Sequence, residues 1–98
     1  MRARKVDSPR DPRPVSLVAA HLGDLTRVYQ KARLAHMEPL DALLAAVEKT
    51  FRRRDRAEVL AYLSGRSDAT FGAGAGDALM ADLLQSFEHS YRQALAAN

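Results

Sequence analysis

The stretch Val15–Met37, VSLVAAHLGDLTRVYQKARLAHM, decides the fold. Val15, Val18, Leu22, Leu25, Tyr29, Ala32 and His36 recur in it at alternating spacings of three and four residues. That spacing lays one apolar stripe along an α-helix, because each turn takes about 3.6 residues. The stretch reads as one unbroken helix of roughly 23 residues, about 35 Å long. Pro14 suits its first turn, where a missing N–H costs nothing. Pro39 ends it near Met37 and starts the next helix.

Downstream the same period continues. Leu40, Leu43, Leu44, Val47 and Phe51 form the inner face of a second helix that gives way around Arg53 and Arg54. Asp55-Arg-Ala-Glu58 has the spacing of a capping box and opens a short third helix with Val59, Leu60 and Leu63 inward. Ser64-Gly65 stops that helix, glycine being at ease in the left-handed cap position. Residues 66–76, RSDATFGAGAG, read as the longest loop, with Phe71 as its anchor in the core. A last helix from Asp77 presents Met80, Leu83, Leu84, Phe87, Tyr91, Ala94 and Leu95 on one face. No segment alternates with period two for long enough to be a strand. The expectation is an all-α fold, a small four-helix bundle with long first and last helices and a short central pair.

The 98 residues make one small domain, and their net charge of +3 is unevenly placed. Residues 1–14 hold Arg2, Arg4, Lys5, Arg10 and Arg13 against Asp7 and Asp11, which accounts for the whole +3. Three of the four prolines also fall there. So basic and apolar-poor a segment reads as a flexible arm, with residues 15–98 as the single helical domain. Within that domain residues 15–56 carry eight basic and five acidic groups, and residues 57–98 two and five. The body is neutral overall and dipolar. The absence of cysteine removes disulfides, thiol nucleophiles and cysteine-ligated zinc. No apolar run follows the basic start as in a signal peptide, and the longest one, Ala42–Val47, is too short to span a bilayer. The expected location is cytoplasmic, without membrane contact.

The sharpest surface feature is basic. Lys49, Arg52, Arg53 and Arg56 fall on one side if the second helix continues through Asp55. Guanidinium groups on one face match phosphate oxygens, and Arg2, Arg4 and Lys5 of the arm add to them. The plainer account is favourable placement of cations at a helix C-terminus, with Glu48 pairing to Arg52 one turn on. A helix-turn-helix is a poor match, since the Arg-Arg-Arg-Asp turn lacks glycine and Glu58 is taken up by the cap. Gly72-Ala-Gly74-Ala-Gly76-Asp77 lacks the Gly-Lys-Ser/Thr ending of a phosphate loop, and Asp77 stands where a dinucleotide fingerprint needs glycine. It reads as a pliable linker capped by Asp77. His21 and His36 sit too far apart on one helix to share an ion, and no metal or cofactor is expected. His36, on the apolar stripe, is expected in the core or an interface. No nucleophile–base pair or carboxylate pair on an apolar face points to an enzyme.

Phe71–Ala97, FGAGAGDALMADLLQSFEHSYRQALAA, loosely resembles the glycine-loop-plus-helix ending of some flagellar rod-binding domains. The resemblance covers a quarter of the chain, and the long first helix departs from the family's pattern. The functional expectation is a non-enzymatic helical regulator, adaptor or chaperone that binds a protein partner and forms a homodimer. Its contact surface is expected at Leu22, Leu25, Tyr29, Ala32 and His36 with Phe87 and Tyr91. The competing expectation is a nucleic-acid-binding accessory protein acting through the arm and the Lys49–Arg56 cluster, mostly on phosphates.

Overall fold

A computed structural model describes residues 12–97. Six helices follow one another: α1 (Arg13–Ala20), α2 (Leu22–Leu34), α3 (Pro39–Thr50), α4 (Arg53–Leu63), α5 (Asp68–Phe71) and α6 (Ala75–Ala97). No strand occurs among the described residues, so the chain is all-α there. Most of the expected arm lies outside the described residues. Its last two residues belong to the folded body instead: Arg13 opens α1 and Pro14 is buried.

The expected long first helix is two helices, broken at His21. There the backbone leaves helical geometry (φ −122°, ψ 22°) and the His21 N–H bonds back only to the Val18 carbonyl at 3.0 Å. The ring Nδ1 lies 2.9 Å from the Leu17 carbonyl oxygen, as an N–H donor, and the ring packs edge-on against Phe51 at 5.0 Å. Gly23 follows, where a helix is weakest. The break lets one apolar stripe serve two neighbours. α1 lies on α4, while α2 lies between α3 and α6.

The core is built from Val18, Leu25, Tyr29, Leu43, Val47, Phe51, Val59, Leu63, Leu83 and Phe87, with Tyr29 and Phe87 rings 5.5 Å apart. On α3 the buried face is Ala42, Leu43, Ala46 and Val47. The expected Leu40 is instead exposed and Leu44 half-buried. Alanines win those positions because small side chains let α3 and α2 approach closely. α3 opens on Pro39 after an extended Glu38, as a residue before proline should be.

α3 stops at Thr50, with Phe51 and Arg52 extended. The second helix therefore does not continue through Asp55, so the cations are not a row on one continuous helix, and Glu48 and Arg52 do not pair. No side chain caps α4 either. Asp55 and Glu58, expected to form the capping box, turn to Arg13 of α1, which donates to Asp55 Oδ1 at 2.9 Å and to Glu58 Oε1. An arginine from a distant helix outcompetes the local cap because its hydrogen bonds are charge-assisted.

Two helices end in the same way. After α4, Gly65 (φ 87°) donates to the Tyr62 carbonyl at 3.2 Å and Arg66 to Ala61 at 2.9 Å, the paired bonds of a Schellman motif. After α2, His36 takes the glycine-like position with φ 70°, donating to Arg33 at 2.9 Å while Met37 donates to Ala32 at 3.1 Å. His36 is consequently exposed rather than on a buried stripe.

The expected linker is structured. It contains α5, and the Asp68 carboxylate accepts from the Gly74 N–H at 2.9 Å. Phe71 leans on Tyr62 at 5.5 Å but stays exposed. α6 starts at Ala75, ahead of the expected Asp77, because Gly76 is buried against the end of α4. A methyl group at Gly76 would overlap the Tyr62 carbonyl oxygen.

Candidate functional site

A short connection, residues 35–38, folds α3 back along α2. On their outer flank the two helices leave a groove of about 320 Å³. Val28, Ala32, Ala35, Met37 and Ala45 form its apolar floor. Lys31 of α2 and Lys49 of α3 line it as well, and both are exposed. The sequence places them so: Lys31 stands three residues after Val28, and Lys49 four after Ala45, so each cation shares a helix face with a floor residue. Among the described residues no carboxylate lies within ion-pair distance of either lysine.

One polar network holds this hairpin against α6. Glu88 Oε1 accepts from Tyr29 Oη at 2.6 Å and from Arg33 Nε at 2.9 Å, while Oε2 accepts from the Arg33 terminal nitrogen at 2.7 Å. The other Arg33 terminal nitrogen donates to the Met37 carbonyl at 3.1 Å, and the guanidinium lies 4.6 Å from the Tyr91 ring centroid. Met37 is a floor residue, so the network also fixes one end of the groove. The Arg33 hydrogen bonds hold the Glu88 carboxyl down at about 2, against the opposing effect of its burial. Burial, then the hydrogen bond to Glu88, pushes the Tyr29 hydroxyl up to about 12. Glu88 likewise raises Arg33. Every member is satisfied, as a desolvated network must be if it is not to cost stability.

The residues expected to contact a partner are placed unevenly. Leu25, Tyr29, Ala32 and Phe87 are buried within the chain itself. Tyr91 is half-buried under Arg33, while Leu22 and His36 are exposed. Ala32 alone of that set reaches the groove. Of the expected anion-binding residues, Lys49, Arg52 and Arg53 are exposed and Arg56 is half-buried at the α3–α4 junction. Arg2, Arg4 and Lys5 lie outside the described residues. Reading the sequence passed over Lys31, Val28, Met37 and Ala45. Their signal was present as two small-apolar-to-lysine steps on consecutive helices, off the main stripe.

Among the described residues no group of three His, Asp or Glu side chains converges on a common point, and no helix is long and apolar enough to cross a membrane. Comparison with known proteins finds no matching family model, no matching curated protein and no matching solved structure.

Proposed function

We propose that the chain is a cytoplasmic, non-enzymatic binding module, a small helical bundle of α2, α3, α4 and α6 that docks an acidic amphipathic segment of a protein partner in the α2–α3 groove. The observation that carries this reading is the pair of exposed lysines, with no ion-pair partner among the described residues, over an apolar floor. A helix laid in such a groove buries its apolar side against Val28, Met37 and Ala45 and sets carboxylates against Lys31 and Lys49. An apolar centre with a charged rim is the anatomy of protein interfaces in general. Asp41, exposed one turn before Ala45, gives the hairpin end the opposite sign and so favours one orientation of the segment. A second depression of about 360 Å³, between α3, α4 and α6 and lined by Leu44, Leu60, Met80 and Arg66 among others, offers one cation only. A homodimer through the original stripe finds less support, because Leu25, Tyr29 and Phe87 are spent on the core.

The test is fluorescence anisotropy with a labelled amphipathic peptide, leucine on one face and glutamate on the other. Binding should weaken about tenfold or more in Lys31→Glu/Lys49→Glu and disappear in Ala45→Phe, which fills the groove. The same peptide with lysine for glutamate should not bind. Equal affinity of the native chain and the double variant refutes the assignment. Light scattering that shows a dimer lost in Ala45→Phe makes a second copy the occupant instead.

A further inference from the structure

Of the nine arginines among the described residues, eight fall into two sets, and Arg66, at the end of α4, stands apart from both. Arg13, Arg27, Arg33 and Arg92 each have a carboxylate within ion-pair distance. Arg52, Arg53, Arg54 and Arg56, with Lys49, form a cluster at the α3–α4 junction that has no such partner among the described residues. The acids nearest in sequence do not compensate it. Asp55 and Glu58 are held by Arg13, and Glu48 ion-pairs with none of the cluster. Six cations therefore stand with three carboxylates around one junction: Lys49, Arg52, Arg53, Arg54, Arg56 and Arg13 against Glu48, Asp55 and Glu58.

The Arg13 contact has a second effect. It tethers the start of the described chain beside the first turns of α4, 42 residues away in sequence. The start of α1 is thereby packed against the same junction.

We propose that the α3–α4 junction, through Lys49, Arg52, Arg53, Arg54 and Arg56, binds the phosphate backbone of double-stranded nucleic acid without reading its sequence. Its chemistry separates this partner from an acidic protein. Between Arg52 and Ala57 the exposed surface has no large apolar side chain, and Phe51 beside it is buried. A protein partner would find no apolar centre to bury, whereas a phosphate lattice needs none. Guanidinium groups suit phosphate oxygens, which they meet with two parallel hydrogen bonds. The patch also lacks an exposed aromatic ring on which unpaired bases stack, which favours a duplex over a single strand. The inference is independent of the groove. Lys49 borders both, so the test leaves it intact.

Anisotropy of a labelled duplex of about two helical turns, titrated at several salt concentrations, decides the matter. About five phosphate contacts give a slope of log K against log salt of roughly −4 to −5, or a few-hundredfold weakening between 50 and 200 mM. Two duplexes of unrelated sequence should bind alike. Arg53→Ser/Arg54→Ser should shallow the slope by about 2 and weaken low-salt binding about tenfold or more. Both positions are exposed and have no ion-pair partner among the described residues, so circular dichroism should be unchanged. Arg27→Ser, a paired arginine elsewhere, should bind as the native chain does. The proposal falls if no binding appears at low salt, if the slope is near zero, or if the double variant binds normally. It falls equally if polyglutamate of matching charge binds as tightly, which would make the junction an acidic-protein surface.

Discussion

Replacing Glu88 by glutamine removes one charge from the Tyr29–Arg33–Glu88 network and leaves its shape almost unchanged. The carboxylate accepts three hydrogen bonds, at 2.6, 2.9 and 2.7 Å, from side chains that tie α2 to α6. The pair is largely desolvated, with the Arg33 and Glu88 side chains 20% and 18% exposed. Depression of the carboxyl from 4.5 to about 2 corresponds to about 3–4 kcal/mol at about 1.4 kcal/mol per unit. Breaking a buried pair costs a similar amount, about 3–5 kcal/mol, and residual solvent lowers that figure here. We expect Glu88→Gln to lose about 2–3 kcal/mol at neutral pH, read as a lower urea midpoint with unchanged slope. In thermal melts that is a fall of about 10–20 °C for a domain of this size. The folded-state value lies below the unfolded one, so this stabilisation is complete above about pH 5. It is lost as pH falls from the unfolded value toward about 2. The native chain and the variant should therefore converge near pH 2. A loss that is the same at pH 7 and pH 2, or below about 0.5 kcal/mol at pH 7, refutes the reasoning.

Two further substitutions probe the backbone. Gly76→Ala sets a methyl group against the Tyr62 carbonyl oxygen, forces α6 away from α4, and should cost about 2–3 kcal/mol; an unchanged urea midpoint would show that the helices yield freely. His36→Gly relieves a left-handed residue, worth roughly 1–2 kcal/mol, against about 0.5–1 kcal/mol of added freedom in the unfolded chain. A net gain of about 0.5–1 kcal/mol and a melting point higher by a few degrees should follow, and a lower one would refute the cap geometry.

What could be read in the sequence was what depends on near neighbours. The helical period, the proline starts of α1 and α3, and the glycine cap at Gly65 are local properties of side chains and φ angles. His36 shows the limit. Its place in the three-four rhythm argued for the core, but the Schellman turn needed a left-handed residue at that position, and nothing in a histidine announces it. Apolar size misled on α3, where Ala46 is buried and Leu40 exposed, because helix spacing and not hydrophobicity selects the residue. Asp55 and Glu58 had the local spacing of a cap, and a contact with Arg13 across the fold claimed them. The groove was half legible: Lys49 stood out through its arginine neighbours, whereas Lys31 acquires meaning only once α3 lies beside α2.

The break at His21 also orders events in time. Because α1 packs mainly on α4 and only slightly on the helix that follows it, its docking must wait until a loop of some forty residues has closed. Among the described helices α1 leaves the ribosome first and completes its contacts only after α4 has emerged. Running backwards, the same topology makes α1 the first helix to let go. In native-state hydrogen exchange its amides should open at a lower free energy than those of α2, with His21 marking the border between two cooperative units.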